Sequence, residues 1–509
     1  MKAEWPARPI IYEINTWVWL NDLSKQYKRT ITLGTVPSEE LDAIAALGVD
    51  AVWLMGVWER SPAGIRIANE NVGLQADFHH ALPDYTPADN VGSAYCVHRY
   101  VVDQHLGGPE ELATARQMLA QRGLRLILDF VPNHVATDHP WVLEHPEYFV
   151  QGMPDDLAQT HGEFFDAGGT VIAHGRDPYF PPWPDVAQLN SFSPSLRQAA
   201  IETLISIAEQ CDGMRCDMAM LLNNSIFERT WGRRVGGPPP EEYWSEIIQS
   251  VRLEHPNMLF MAEAYWGLEW DLQQLGFDYC YDKRLYDRLE HENAESVRLH
   301  LSAGLDYQDR LVRFIENHDE PRAAATFSPE KERAAALALM TLPGAKLLYE
   351  GQLEGRKVRP PVFLVRRPIE PIDFDLQAFY LQLLAAIKNA GLREGEWQLC
   401  ARAGWPDNSS YMNLVAWCWS QNESRYLVVV NLSKDQSQAR IHLPWNNLAG
   451  RTWQLIDLID GDAFQRDGDE MHLSGFYVDL PAWRFHFLVV NAPKSEQLLP
   501  KRASTCPQE

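Results

Sequence analysis

No stretch of this 509-residue chain approaches the roughly 20 consecutive apolar residues that a membrane span requires. The opening segment, MKAEWPARPIIYEIN, also lacks the basic, apolar and small-residue regions of a signal peptide. A cytoplasmic protein with no membrane partner is therefore expected. Positive charge is scarce: 45 Lys and Arg stand against 69 Asp and Glu, a formal net charge of -24. That balance opposes nucleic-acid binding, which needs basic side chains to neutralise phosphates, and it favours solubility. Cysteine is sparse and odd in number, with seven residues: Cys96, Cys211, Cys216, Cys280, Cys400, Cys418 and Cys506. Most lie inside apolar runs, and Cys211 and Cys216 lack zinc-motif spacing. Buried free thiols in a reducing compartment are the expected state. Internal repeats and low-complexity blocks are absent, and no feature of the sequence indicates an oligomeric state.

Hydrophobic residues make up 46% of the chain, enough for a sizeable core. At roughly 100–200 residues per domain, two or three domains are expected. Through residue 395 or so, apolar strand-like runs alternate with helical patterns. Strands are predicted at 9–15, 49–58, 124–132, 212–218, 259–265, 278–281, 311–317 and 346–350. Near-continuous apolar runs of this kind suit parallel strands covered on both faces. Ser193 followed by Pro194 reads as a helix start, and Leu196, Ala200, Leu204 and Ala208 then mark one buried face. Leu112, Ala115 and Leu119 do the same before Gly123, a candidate helix stop. Eight such units imply a (β/α)8 TIM barrel, over 1–134 and 192–395. Two long insertions, 59–108 and 135–191, leave the C-terminal ends of strands two and three, and the second is expected to form a subdomain. A smaller loop at 232–241, with three consecutive prolines, is expected at the rim. After 395 the runs become short and alternating, with strands expected at 414–419, 426–431, 439–443, 452–456, 471–473 and 484–490. These predict a C-terminal all-β sandwich over 396–490, followed by a flexible tail at 491–509.

Three predicted buried strands end in acids: Asp217 in GMRCDMAM, Glu263 in LFMAEAYW and Asp319 in FIENHDEP. An ionised carboxylate in an apolar setting is costly unless it is paired or used. Acids gathered at the C-terminal end of a barrel can act as nucleophile, acid/base and charge stabiliser on a glycosidic bond. Arg215 lies two residues before Asp217, hence on the same strand face, where its charge is expected to hold the Asp217 carboxyl low.

Four motifs occur in order at the ends of strands three, four, five and seven: DFVPNH (129–134), GMRCD (213–217), FMAEAYW (260–266) and ENHDEPR (316–322). WPDVAQLN (183–190) and TLPGAKLLYEGQLEG (341–355) accompany them. In these the chain resembles glycoside hydrolase family 13, the α-amylase family, along nearly its whole length. The resemblance implies a retaining mechanism through a covalent glycosyl-enzyme intermediate, with no obligatory cofactor. It makes Asp217 the nucleophile, Glu263 the acid/base and Asp319 the group that binds sugar hydroxyls and stabilises the transition state. It also implies that His134 and His318 hydrogen-bond the sugar and that Asp129 orients Arg215. Arg322 is expected to reach the same pocket. Tyr95, after the step Gly92-Ser93-Ala94, is expected as an aromatic platform, while Trp183 and Trp266 lie near the site loops. Asn133 matches a position that often donates to a structural calcium, to which Asp138 and Asp185 could add oxygens.

The chain departs from many starch-cleaving members at Met220 and Leu221, where those carry a Lys-His pair on the leaving-group side. An apolar wall suited to a shorter or different acceptor is expected instead. The leading expectation is hydrolysis of α-glucosidic bonds in oligosaccharides or α-glucans. A transglycosidase or a sugar phosphorylase would use the same intermediate and differ only in the acceptor. A non-catalytic sugar-binding protein on this fold is the third reading, weighed against by the presence of all three acids.

Overall fold

The computed structural model describes residues 4–160 and 162–491. The expected tail, with Cys506, lies outside the described residues beyond Asn491. Contacts divide the chain into two compact units, Met1–Glu292 with Ala303–Ala385, and Asn293–Ser302 with Ala386–Glu509. The division falls within the helix Phe374–Ala390, ahead of the change of sequence pattern near 395.

The first unit contains a closed barrel of eight parallel strands: β1 (Ile10–Asn15), β2 (Ala51–Met55), β3 (Arg125–Phe130), β4 (Gly213–Cys216), β5 (Leu259–Ala262), β6 (Tyr279–Tyr281), β7 (Leu311–Arg313) and β8 (Ala345–Tyr349). These are the eight expected runs, and each strand pairs with its neighbours in sequence. The ring closes where β8 meets β1, with Ile10 opposite Lys346 and Tyr12 opposite Leu348.

The two-residue period of a strand sends alternate side chains inward. Ile11, Trp53, Ile127, Leu259, Met261, Val312 and Leu347 fill the barrel interior as one apolar cluster. At Gly213 a Cβ would stand 3.2 Å from Ile127 and 3.3 Å from Leu259, so the row on β4 begins where the barrel has no room for a side chain. The same inward rows then turn charged towards the C-terminal end. Ile11 is followed by Glu13, Ile127 by Asp129, Gly213 by Arg215 and Asp217, and Met261 by Glu263. The site is thus the polar top of the interior rows whose lower part is core.

Local signals behave as read. Ser193 accepts from Leu196 N–H and opens the helix Pro194–Gln210. Gly123, just past the helix Gly108–Ala120, adopts φ +74°. The insertion after β2 is more helical than its Pro and Gly content suggests, with helices Pro62–Glu70 and Val72–Ala81 before the strand Val97–Val102 pairs with Trp58–Arg60. The insertion after β3 forms a four-stranded antiparallel sheet in the order His134–Ala136, Trp183–Gln188, Thr170–Gly175, Phe164–Ala167.

In the second unit, a six-stranded and a three-stranded antiparallel sheet enclose one core that includes Leu427, Val429, Ile441, Leu455, Val478 and Leu488. The strand expected at 471–473 is instead part of the helix Gly468–Ser474. Asp467 caps it by accepting from the N–H groups of Asp469 and Glu470. The strands Glu396–Leu399, Ala463–Asp467 and Phe476–Leu480 were not expected from the sequence.

Candidate active site

Arg215 is the centre of the charged layer and is fully buried. Its Nη1 donates to Asp217 Oδ1 at 2.7 Å, and its Nη2 forms an ion pair with Glu263 Oε2 at 2.8 Å. Asp129 Oδ1 stands further off, 3.8 Å from Nη1, while its Oδ2 accepts from Gly56 N–H at 3.0 Å. The rings of Trp53, Tyr95 and Tyr281 lie 5.3, 5.1 and 5.7 Å from the guanidinium carbon. Their π faces take the place of hydrating water around the cation.

The acids of this layer do not share one acidity. Burial is the largest influence on Glu263 and, with the charge of Asp217, outweighs Arg215, pushing its carboxyl up to about 7. Burial also raises Asp217 above the usual aspartate value. The sequence reading expected a lowered Asp217. Arg215 does act in that direction, but loss of water from the carboxylate at the closed barrel end is the larger effect. Burial likewise takes Asp129 up to about 6. Asp319 goes the other way: burial would raise it, but His318 and then Arg215 hold it at about 2.

His318 links two strands' worth of charge. Its Nε2 lies 3.0 Å from Asp319 Oδ2 and 2.6 Å from Tyr95 Oη, and its Nδ1 meets Glu13 Oε1. Burial alone would depress the imidazole, but Asp319 and Glu13 together push it up to about 10. Tyr95 also stacks on it, with ring centres 5.3 Å apart. His134, by contrast, is held down to about 4 by burial, against the charge of Asp185, and is neutral near pH 7. Its ring lies 5.2 Å from that of Trp183.

Asp217, Glu263, Asp319, His134, Tyr95 and Tyr265 share the wall of one cavity of about 360 Å³. Trp183 and Met218 line it as well. Asp319 offers 42% of its side chain to that space, whereas Asp217 and Glu263 are nearly enclosed. A recess of about 440 Å³ exists at the opposite end of the barrel, between Trp5, Arg125, Asp212 and Met258, remote from all these acids.

Three contributors were not singled out from the sequence. Tyr265 donates its hydroxyl to Glu263 Oε1 at 2.8 Å. Met218 takes a left-handed backbone, φ +42°, which is rare for a side chain of its size. That turn aims its N–H at Glu263 Oε2, 2.6 Å away. Glu13 is fully buried on β1. Tyr265 could have been found by the two-residue period from Glu263, and Glu13 as the lone acid within the apolar run IIYEIN.

Some expectations are corrected. Arg322 does not reach the cavity. Its guanidinium bonds Glu316 Oε1 at 2.6 Å and the carbonyl of Glu350 at 3.0 Å, and lies 4.0 Å from the Tyr349 ring centre. Met220 and Leu221 form no wall of the cavity, being buried in the short helical turn Ala219–Leu222. Trp266, expected only to lie near the site loops, follows cavity-lining Tyr265 and is partly exposed. Asn133 does not fit a calcium ligand set. Its Oδ1 accepts from Gln188 Nε2 at 2.9 Å, and its Nδ2 donates back to Gln188 Oε1 at 3.3 Å. Asp138 meanwhile accepts from Ser61 Oγ and from Ala63 N–H, at 2.5 and 2.9 Å. The oxygens are taken up by protein donors rather than turned to a common point. Among the described residues, no group of three or more His, Cys, Asp or Glu could hold a metal ion.

Cleaving a glycosidic bond with two carboxyl groups needs one that can carry a proton near neutrality and another close beside it. The barrel supplies both at the end where such folds keep their chemistry, an arrangement of the kind that glycoside hydrolases use. Comparison with known proteins shows the family. The chain belongs to the α-amylase family, the profile described as "Alpha amylase, catalytic domain" matching residues 35–416. α-Amylase MalA of Haloarcula japonica is 26% identical over 365 residues, covering 70% of this chain and 45% of that protein. The chain thus spans less than half the length of that relative. A probable oligo-1,6-glucosidase 2 of Bacillus subtilis is 20% identical over 484 residues, covering 81% of this chain and 79% of that one. Among solved structures, the maltogenic α-amylase AmyB of Thermotoga neapolitana superposes with a TM-score of 0.66 at 18% identity, over 95% of this chain and 98% of that one. This last likeness shows a shared fold.

Proposed function

We propose that the protein is a retaining α-glycosidase that hydrolyses α-glucosidic bonds in oligosaccharides or α-glucans. The observation that carries this reading is the single guanidinium of Arg215 touching both Asp217 and Glu263, at 2.7 and 2.8 Å. One planar group holding both acids supports a site in which one of them attacks directly, the mode of retaining enzymes, whose two carboxyls stand about 5–5.5 Å apart.

Asp217 attacks the anomeric carbon as its bond to the leaving oxygen breaks, and Glu263 gives that oxygen its proton. The product is a glycosyl ester on Asp217. Glu263, now a carboxylate, takes a proton from water as the water oxygen displaces Asp217. Two inversions leave the anomeric configuration unchanged. Asp319, ionised because of His318, binds sugar hydroxyls and offsets the positive charge that develops on the ring. His134 and Tyr95 complete the binding of that sugar, His318 acts through Asp319 and Tyr95 behind the cavity wall, and Arg215, with Asp129 behind it, fixes the two reacting acids.

The site works with side chains alone, without a metal. A cytoplasmic location is part of the same reading, supported by six free, buried cysteines among the described residues. A working division of the chain follows the sequence pattern: barrel to 395, subdomain at 135–191, β domain from 396.

The test is NMR of products before mutarotation, with maltose, maltotriose, maltoheptaose, isomaltose, trehalose, sucrose and soluble starch. An α-anomer is expected as the first product. A β-anomer, or most activity surviving in Asp217→Asn, would overturn the proposal.

A further inference from the structure

The loop after β8 (350–373) and the insertion after β2 are fused along one edge of the barrel mouth. Val91 N–H donates to the Phe363 carbonyl and Val365 N–H to the Asp89 carbonyl, both at 2.9 Å, on either side of an antiparallel bridge between Asn90 and Leu364. Arg366 sets its fork on Asp89, Nε to Oδ1 at 2.5 Å and Nη2 to Oδ2 at 2.8 Å, and its Nη1 reaches Asp84 Oδ1 at 3.0 Å. Such a bidentate pair fixes orientation as well as distance. Buried Arg60 joins the same two segments a second time, its Nη1 donating to the carbonyls of Gly92 and Val362 at 2.6 and 2.9 Å. Leu364 is enclosed among Phe78, Leu82 and Tyr85 of the insertion.

Topology places this interlock relative to the acids. In the ring of eight strands, β1 stands four places from β5 in either direction, and β2 and β8 flank it. β1 runs directly into the helix Thr16–Gln26 and adds no long loop of its own. The interlock therefore lies across the mouth from β5, whose end carries Glu263. Ser93, Tyr95 and Phe363 bring its inner side to the cavity, while Met218, Glu263 and Tyr265 line the cavity from the loops after β4 and β5. The acid that protonates the leaving oxygen marks the leaving-group side, so the opposite wall faces the glycone, the sugar that becomes attached to Asp217. Tyr95 bonds His318 beside Asp319, so that wall begins directly behind the group that binds the reacting ring.

We propose that the interlock of the β2 insertion with the β8 loop closes the glycone side behind a single sugar ring, so that the enzyme works from the non-reducing end and releases one glucose unit at a time. The inference rests on the glycosidase reading above. Selectivity comes from what the wall refuses. A glucan chain running on past the reacting ring meets backbone hydrogen-bonded between two segments and held by two arginines, not a loop free to swing aside.

Maltoheptaose with its non-reducing glucose blocked by an ethylidene acetal separates end-wise from internal cleavage. The first products from free maltoheptaose are expected to be glucose and maltohexaose, and the blocked substrate is expected to be cut on the order of a hundredfold more slowly. Maltose or longer fragments as the first products, or comparable rates on the two substrates, would overturn the closed wall. In Arg366→Ala and in Phe363→Ala, the ratio of kcat/KM for blocked to free substrate is expected to rise on the order of tenfold, a quantity that a loss of stability alone leaves in place. An unchanged ratio in both variants would overturn the role of the interlock. Failure of the unsubstituted enzyme to cleave both free maltoheptaose and α-glucosyl fluoride would count against the glycosidase reading instead. The wall then stands on calorimetry with Asp217→Asn: blocked maltoheptaose is expected to bind on the order of tenfold more weakly than the free form, and equal binding would overturn it.

Discussion

Glu13 holds the far side of His318: its Oε1 meets Nδ1 of an imidazole whose Nε2 faces Asp319. The two residues come from opposite ends of the barrel sequence and are both almost wholly buried. The imidazole therefore stays positive where its other contacts are Tyr95, Trp53 and Asp319, and that positive charge keeps Asp319 ionised.

Replacing Glu13 by Gln should leave the shape and remove the charge. The His318 pKa, raised to about 10 in the intact protein by Asp319 and Glu13 against burial, is expected to fall. In ¹⁵N NMR, the ring should be doubly protonated at pH 8 before the change and titrate at lower pH after it. The sign for stability is fixed: the contribution of the raised pKa is fully present below about 6.5, the unperturbed histidine value, and is lost as pH rises towards 10. An imidazole that titrates unchanged in Glu13→Gln would remove the role given to Glu13.

Glu263 must be protonated for the first step, so kcat/KM should decline as pH rises through about 7, the value burial gives it. Tyr265 donates to that carboxyl and favours its ionised form. Tyr265→Phe is therefore expected to move the alkaline limb to higher pH. Glu263→Gln should slow substrates with sugar leaving groups by about 10²–10⁴-fold and α-glucosyl fluoride far less, since fluoride departs without a proton.

Arg322 is expected to be a stability residue. Arg322→Ala strips Glu316 of its buried partner, and removing one member of such a pair costs about 3–5 kcal/mol. The measurement is the shift in urea midpoint. A loss of substrate affinity with no loss of stability would contradict the placement of Arg322 away from the cavity.

Metal removal gives the opposite expectation. With the Asn133 oxygen engaged by Gln188, EDTA should leave the unfolding temperature and the activity unchanged, and added calcium should not raise either.

The barrel was legible because a strand covered on both faces has almost no choice of composition. Most of the eight runs are apolar up to the point where the interior becomes the site, with Arg125, Arg313 and Lys346 as charged interruptions. The acids Asp217 and Glu263 were legible for the same reason, as charges interrupting the end of such a run. What the period could not give was partners. Glu13 pairs with a residue 305 positions away, and Arg322 finds Glu316 only because the chain folds back after β7. Met220 and Leu221 were misplaced because strand alternation stops at Met218, where the backbone turns left-handed. In the second unit, the missed strands Glu396–Leu399 and Ala463–Asp467 alternate between exposed and half-buried positions, so their composition carries little apolar signal. The helix Gly468–Ser474 did announce itself through the capping aspartate at 467, but its short apolar residues resembled a strand.

The shared guanidinium of Arg215 also limits how this enzyme could be re-engineered. Any substitution that tunes the acidity of Glu263 through Arg215 must disturb Asp217 in the same direction, so the working pH range would shift as a block instead of widening. Tyr265 and Met218 touch Glu263 without touching that guanidinium. They are the handles by which one limb of the profile could be moved while the other stays where it is.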